Sequence, residues 1–253
     1  MEAAVAAPWS LGGLVLVAAV FLLAGAVKGL VGFGLPTVSL ALLTASLGLE
    51  AALALLLVPS LVTNLWQAVD GGAVGALARR LWRFLLPATL AIPLGGLLLA
   101  ALSPALVTAV LGLLLIVYAG LGLAKLALQI NARRDLWAGP VAGLANGVLT
   151  GMTGSFVVPG LLYLQALGLP RDRLVQAMGL LFTLSTLGLA VSLGGLGLLD
   201  AELGLLSALA VLPALIGMRL GAAWRRRISE TAFRRVFFLA LLPLGAALIV
   251  KGL

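Results

Sequence analysis

The chain has 253 residues, of which 63% are hydrophobic and only 9% charged, and its mean hydropathy is +1.24; a soluble domain is about 45–50% apolar and 25% charged. Cysteine and histidine are both absent, which excludes disulfides, thiol catalysis, Cys-bound metal clusters and the imidazole general base. The formal net charge is +8, and where those cations fall along the chain decides what the charge means.

Glu2 is the only charge before the first apolar run, so no basic region marks a cleaved signal peptide and the chain from Met1 is read as mature protein. Apolar runs bounded by charge, Gly or Pro then predict about ten helical segments, at approximately 9–27, 32–48, 51–69, 84–102, 105–124, 137–151, 155–168, 174–198, 203–218 and 236–250. A bilayer crossing takes roughly 17–25 residues. The second, sixth, seventh, ninth and tenth runs are short for that, and short helices must end against protein or a water-filled cavity, because unpaired backbone groups are costly in lipid.

The first segment leads into Lys28 and a break at Gly32-Phe33-Gly34 followed by Pro36. Two readings of Lys28 follow. If the segment spans fully, Lys28 is a flank that snorkels to the headgroups. If the break is the tip of a hairpin that stops part-way, Lys28 lies at depth, where an ammonium is expensive unless an anion or water offsets it. All eight acidic residues lie at or beyond predicted segment ends, so a cation at that depth suits an anion. Segment three carries Asn64 and Gln67, with Trp66 between them; interhelical hydrogen bonding and substrate contact are the two readings of such amides.

Arg79, Arg80 and Arg83 fall in the loop after segment three, and Lys125, Arg133 and Arg134 in the loop after segment five. Segment six carries Asn146 on the same face as Thr150 and Gly143 and ends in a second break, Gly151-Met152-Thr153-Gly154-Ser155, with Pro159 beyond. Arg171 and Arg173 follow segment seven, and Thr183, Ser185 and Thr186 lie in segment eight, where hydroxyls readily bond their own backbone. Arg219, Arg225, Arg226, Arg227, Arg234 and Arg235 lie in or border the last odd-numbered loop, and Lys251 stands alone at the C-terminus. Even-numbered loops hold only Glu50, Asp200 and Glu202. By the positive-inside rule the odd loops are cytoplasmic and both termini lie outside. The basic clusters are thus read as topology, with no nucleic acid as partner. Trp9, Trp82, Trp137 and Trp224, near segment ends, are read as interface anchors.

A weak internal repeat divides the chain. Ala24-Gly25 with Gly29 is echoed at one constant spacing by Ala142-Gly143 with Gly147, the two breaks follow in order, and Pro59-Ser60 to Thr63-Asn64 lies where Thr183 to Thr186 lies in the second copy. Five segments per copy is an odd number, so the second copy enters the membrane upside down. The expected fold is an all-α membrane protein, a polytopic helical bundle in two inverted repeats, 1–128 and 137–253, joined by a basic cytoplasmic linker at 129–136, with short or broken helices at the repeat centre. In each copy the helix after the break is expected to start near Gly34 or Gly154, with Pro36 or Pro159 in or near its first turn. Its unpaired N–H groups and positive dipole end would face an anion that glycine lets approach closely.

The runs AGAVKGLVGFGLPTVSLALL from Ala24, VPSLVTNLWQ from Val58 and AGLANGVLTGMTGSFVVPGLLYLQALGLP from Ala142 resemble the TauE/SafE family of sulfite and organosulfur-anion exporters, over nearly the whole chain. The first copy's Gly32 to Pro36 stretch is shorter than is usual there. The resemblance implies a secondary transporter of sulfite or another sulfur-containing oxyanion or organosulfonate in the bacterial inner membrane, working as an exporter and not as an enzyme. The candidate substrate-binding residues are Lys28, Gly32, Gly34, Asn64, Asn146, Gly151, Thr153, Gly154 and Ser155. No cofactor is implied; the partners are a small anion and the lipid bilayer, with a homo-oligomer left open. Alternatives are a transporter of a non-sulfur carboxylate and a membrane scaffold or assembly factor without transport.

Overall fold

The structure is a computed structural model that describes residues 8–124, 129–225, 227 and 229–252; Glu2, Lys125 and Arg226 lie outside the described residues. Every regular element among those residues is an α-helix: α1 (Leu11–Val31), α2 (Leu35–Leu47), α3 (Leu49–Val69), α4 (Val74–Leu90), α5 (Ile92–Ala101), α6 (Pro104–Leu123), α7 (Ala132–Thr153), α8 (Gly160–Ala166), α9 (Arg171–Gly195), α10 (Ala201–Leu209), α11 (Val211–Trp224) and α12 (Glu230–Lys251). Seven spans are long and apolar enough to cross a membrane: α1, α3, α4 with α5, α6, α9, α10 with α11, and α12. The protein is a polytopic helical membrane protein.

Several expected boundaries change, those of α7 and α12 for one physical reason. Charged first turns look like loops to a hydropathy reading, yet they are where caps and dipoles favour helix. The sixth segment, expected short, is the 22-residue α7; its first turn holds Arg133, Arg134 and Asp135, and the Asn131 side chain accepts the Arg134 N–H at 2.9 Å. The tenth is the 22-residue α12, capped by Ser229, and the ninth is α10 and α11 together, Ala201–Trp224. The fourth starts at Val74, so Arg79, Arg80 and Arg83 lie on an exposed helix face and not in a loop. α2 and α8, with 13 and 7 residues, remain too short to cross.

The helices form two compact units. Of the described residues, the first unit takes those in Met1–Pro59, Pro104–Leu123 and Leu198–Leu253, and the second takes Ser60–Ser103 and Ala124–Gly197.

In the first unit α1 lies along α11 on a stripe of small residues. Gly25 and Gly29 sit against the carbonyls of Ala214 and Met218, while Gly217 and Gly221 sit against those of Leu22 and Ala26. A side chain at any of the four would meet backbone, which is how small residues let membrane helices approach. α6 packs on α12 in the same manner, Gly112 against Gly245 and Gly122 under the Phe238 ring. Pro59 inside α3 cannot donate to the Leu55 carbonyl one turn back. Ser207 of α10 fills that gap: its hydroxyl donates to the Leu55 carbonyl at 2.8 Å and accepts the Val58 N–H at 3.1 Å.

In the second unit α7 lies along α4 and α5. Gly143, Gly147 and Gly151, one turn apart, sit against the carbonyls of Phe84, Ala88 and Ile92. Two glutamines fasten α9 to the end of α3 and the start of α4. Gln176, buried, donates to the Ala68 carbonyl at 2.9 Å and accepts the Ala73 N–H at 3.3 Å, and Gln67 donates to the Val175 carbonyl at 2.8 Å. Large apolar side chains such as Leu65, Trp66, Leu90, Val141 and Val191 remain exposed on the flanks, as a lipid-facing surface requires.

Candidate functional site

Each predicted break is a turn between two packed helices. In the first unit α1 ends at Gly32, whose φ of 87° is the left-handed cap glycine favours, and its N–H closes on the Lys28 carbonyl at 2.8 Å. Gly34, with φ 103°, then starts α2, and no side chain caps that start. Pro36 lies in the first turn as expected. Lys28 sits on the last turn of α1 and is 3% exposed. A snorkelling ammonium would be exposed, so this lysine is an interior one.

The second break departs from the expectation. Gly154 does not begin the next helix; it terminates α7, with φ 74° and its N–H on the Thr150 carbonyl at 2.7 Å. α8 starts only at Gly160. The reason is local hydrogen bonding. Thr153 donates to the Leu149 carbonyl at 2.7 Å and accepts the Ser155 N–H at 3.2 Å, and Thr150 donates to the Ser155 carbonyl at 3.0 Å, so Ser155 is tied back onto α7.

The chain then returns along α7. The Asn146 Oδ1 accepts the Gly160 N–H at 2.9 Å, the Tyr163 hydroxyl donates to Asp135, and the Ile130 N–H donates to the Ala166 carbonyl at 2.9 Å. α7 and α8 are therefore the arms of one hairpin whose ends lie side by side. Asn146 is fully buried and also donates to Thr150 at 3.5 Å. It fastens the arms together, which is an interhelical hydrogen-bonding role.

The structure thus gathers Lys28, Gly32 and Gly34 at the first hairpin, and Asn146, Thr153, Gly154 and Ser155 at the second. Asn64 is buried on the part of α3 that belongs to the second unit. Gly151 faces α5, where its lack of a side chain is explained by the Ile92 carbonyl. The spacing that pairs Gly25 with Gly143 also pairs Lys28 with Asn146. Where the second hairpin has a neutral amide, the first has a buried cation.

Arg234 was not among the sequence candidates. It lies in the first turns of α12, with its Cζ 5.9 Å from the centroid of the Phe33 ring, in the middle of the first break. The predicted segment began two residues later, so Arg234 read as a loop charge; its i, i+3 spacing to Phe237, which packs edge-on against Phe33 at 6.4 Å, is the signal that places both on one helix face.

Two hairpins of broken helices in an otherwise spanning helical bundle, one of them carrying an interior cation, define a multi-pass membrane protein of the transporter kind. The chain matches the family described as Sulfite exporter TauE/SafE over residues 17–248. It belongs to that family, whose members are anion or sulfite exporter-type transporters. No curated protein and no solved structure matches it.

Proposed function

We propose that this protein is a secondary transporter that exports a small sulfur-containing oxyanion, sulfite or an organosulfonate, and that the anion is held at the first hairpin. The observation that carries the reading is the interior position of Lys28, one turn before the Gly32 cap and close in sequence to the uncapped start of α2. A fixed ammonium supplies charge, and free N–H groups at a helix start supply direction. Glycine at 32 and 34 leaves those two positions of the turn without side chains of their own, on either side of the buried Phe33. The membrane potential supplies a driving force, since a negative-inside cell expels an anion by about 2.3 kcal/mol per charge per 100 mV.

The test is thermal stabilisation of the purified protein by a panel of sulfite, thiosulfate, sulfoacetate and simple carboxylates. Stabilisation by the sulfur anions is expected. A shift with carboxylates alone supports the non-sulfur transporter, and no shift with any anion supports a scaffold without transport.

The duplication is proposed to be inverted, with both termini outside and the linker inside. Its support in the second unit is that the Ile130–Ala166 and Gln176–Ala73 hydrogen bonds bring the ends bearing Arg133, Arg134, Arg171 and Arg173, and the start of α4, to one end of that unit. Because the wild type has no cysteine, a cysteine placed at Arg134 reports alone. It should resist impermeant thiol reagents in intact cells, and external labelling refutes the orientation.

A further inference from the structure

We propose that Arg234 and Tyr118 form a second anion-holding pair at the first hairpin, one that selects oxyanions with at least two oxygens over spherical halides. The proposal rests on the anion-transport reading and adds to it residues that neither the family match nor the sequence motifs assign.

Four aromatic rings are contiguous in the first unit. Phe237 of α12 meets Phe33 of the break edge-on at 6.4 Å and Tyr118 of α6 edge-on at 6.5 Å, and Phe238 meets Tyr118 at 5.2 Å. Arg234 caps this group, its guanidinium lying over Phe33. It is only half-buried, whereas Phe33, Tyr118, Phe237 and Phe238 are buried. Packing alone explains the rings and the stacked guanidinium. It does not explain the Tyr118 hydroxyl, which is buried and has no hydrogen-bond partner among the described residues. A phenol in an interior ordinarily finds an acceptor. Phe237 packs against both Tyr118 and the Phe33 ring over which Arg234 lies, so a donor lacking an acceptor and a fixed cation share one neighbourhood.

Both groups can donate to an anion: the guanidinium has only donors, and the phenol has one O–H. A guanidinium offers a planar fork of N–H groups matched to paired oxygens, even when its face is stacked on a ring. The phenol adds one O–H. An oxyanion such as sulfite has separate oxygens for the fork and for the hydroxyl, whereas chloride has no such geometry. The turn that holds Phe33, Gly32 to Gly34, leads into the start of α2, which no side chain caps.

Kinetics in proteoliposomes holding matched amounts of wild type, Tyr118→Phe, Arg234→Gln and Arg234→Lys, with sulfite, methanesulfonate and chloride as probes, decide the matter. Tyr118→Phe removes only the hydroxyl and keeps every ring contact. It should raise the KM for sulfite about tenfold, the loss of one hydrogen bond to an ion, with maximal rate and melting temperature little changed. Arg234→Gln should raise KM further and narrow the preference for sulfite over chloride, and Arg234→Lys should restore part of it. Wild-type KM and selectivity in both Tyr118→Phe and Arg234→Gln overturn the pair while leaving the transporter reading intact. Lower melting temperature at unchanged KM also overturns it, as the mark of a packing role. Absence of sulfite flux in the wild type overturns the anion reading and the pair together.

Discussion

Lys28→Ala is expected to lower the apparent affinity for the exported anion by roughly ten- to a hundredfold while the protein still inserts and folds. The residue is 3% exposed on the last turn of α1, so its charge acts in a poorly hydrated place, where a charge-assisted hydrogen bond contributes on the order of 1.5–3 kcal/mol. Lys28→Arg retains the charge and should keep part of the flux, limited by the larger, planar guanidinium in the same space. Lys28→Asn is a sharper control. The sequence likeness pairs this position with Asn146, which fastens the second hairpin by its amide, so asparagine is a side chain of a kind that such a hairpin holds. If the charge is what matters, Lys28→Asn folds as well as wild type and fails like alanine. Flux of the anion into or out of proteoliposomes with matched protein separates these cases, and wild-type flux from Lys28→Ala sinks the claim.

How far the sequence reaches follows from what each signal measures. Hydropathy measures the apolar middle of a helix, so the membrane class and the spans at α1, α3 and α6 are legible, while the starts of α4, α7 and α12 are not: α7 and α12 begin in polar sequence, and in α4 Arg79, Arg80 and Arg83 interrupt the apolar run after its first turn. Side-chain caps mark the starts of α7 and α12, and a cap such as Asn131 or Ser229 is one residue whose role depends on the N–H it meets. The breaks are legible as glycine clusters, but glycine favours a helix end as readily as a helix start. Gly34 opens α2, whereas Gly154 closes α7; the difference lies in Thr150 and Thr153, whose hydroxyls hold Ser155 back.

Partners distant in sequence are the least legible. Ser207 reads as an ordinary helix serine until Pro59 places a carbonyl beside it, 152 residues away in the chain. Gln176 reads as a polar interruption of α9 until the backbone of Ala68 and Ala73 meets it. In both cases a buried side chain supplies bonds that the backbone of another helix lacks. The first hairpin shows the same dependence, because Phe33 lies in the turn between α1 and α2 but receives its cation and its ring partner from α12.

Gly151→Ala is expected to destabilise the protein without changing what it binds. The position is one of the sequence candidates for close approach of a ligand, and the geometry gives its small size another cause: a Cβ there points into the Ile92 carbonyl and comes within 2.8 Å of the Gly96 nitrogen. Both obstacles are backbone, so α5 and α7 must separate to admit one methyl group. Overpacking of that kind costs about 1–3 kcal/mol, and in a chain of this size each kcal/mol moves the melting point by about 2–4 °C. A fall of several degrees in detergent is therefore expected. Gly143→Ala, two turns earlier on the same stripe and set against the Phe84 carbonyl, should fall by a similar amount, because the two glycines do the same job. For both variants the further rise in melting temperature on adding sulfite should match that of wild type. The decisive contrast is between the two measurements: if Gly151→Ala keeps its basal melting temperature and loses only the rise produced by sulfite, the glycine serves the anion and the packing account of this position is wrong.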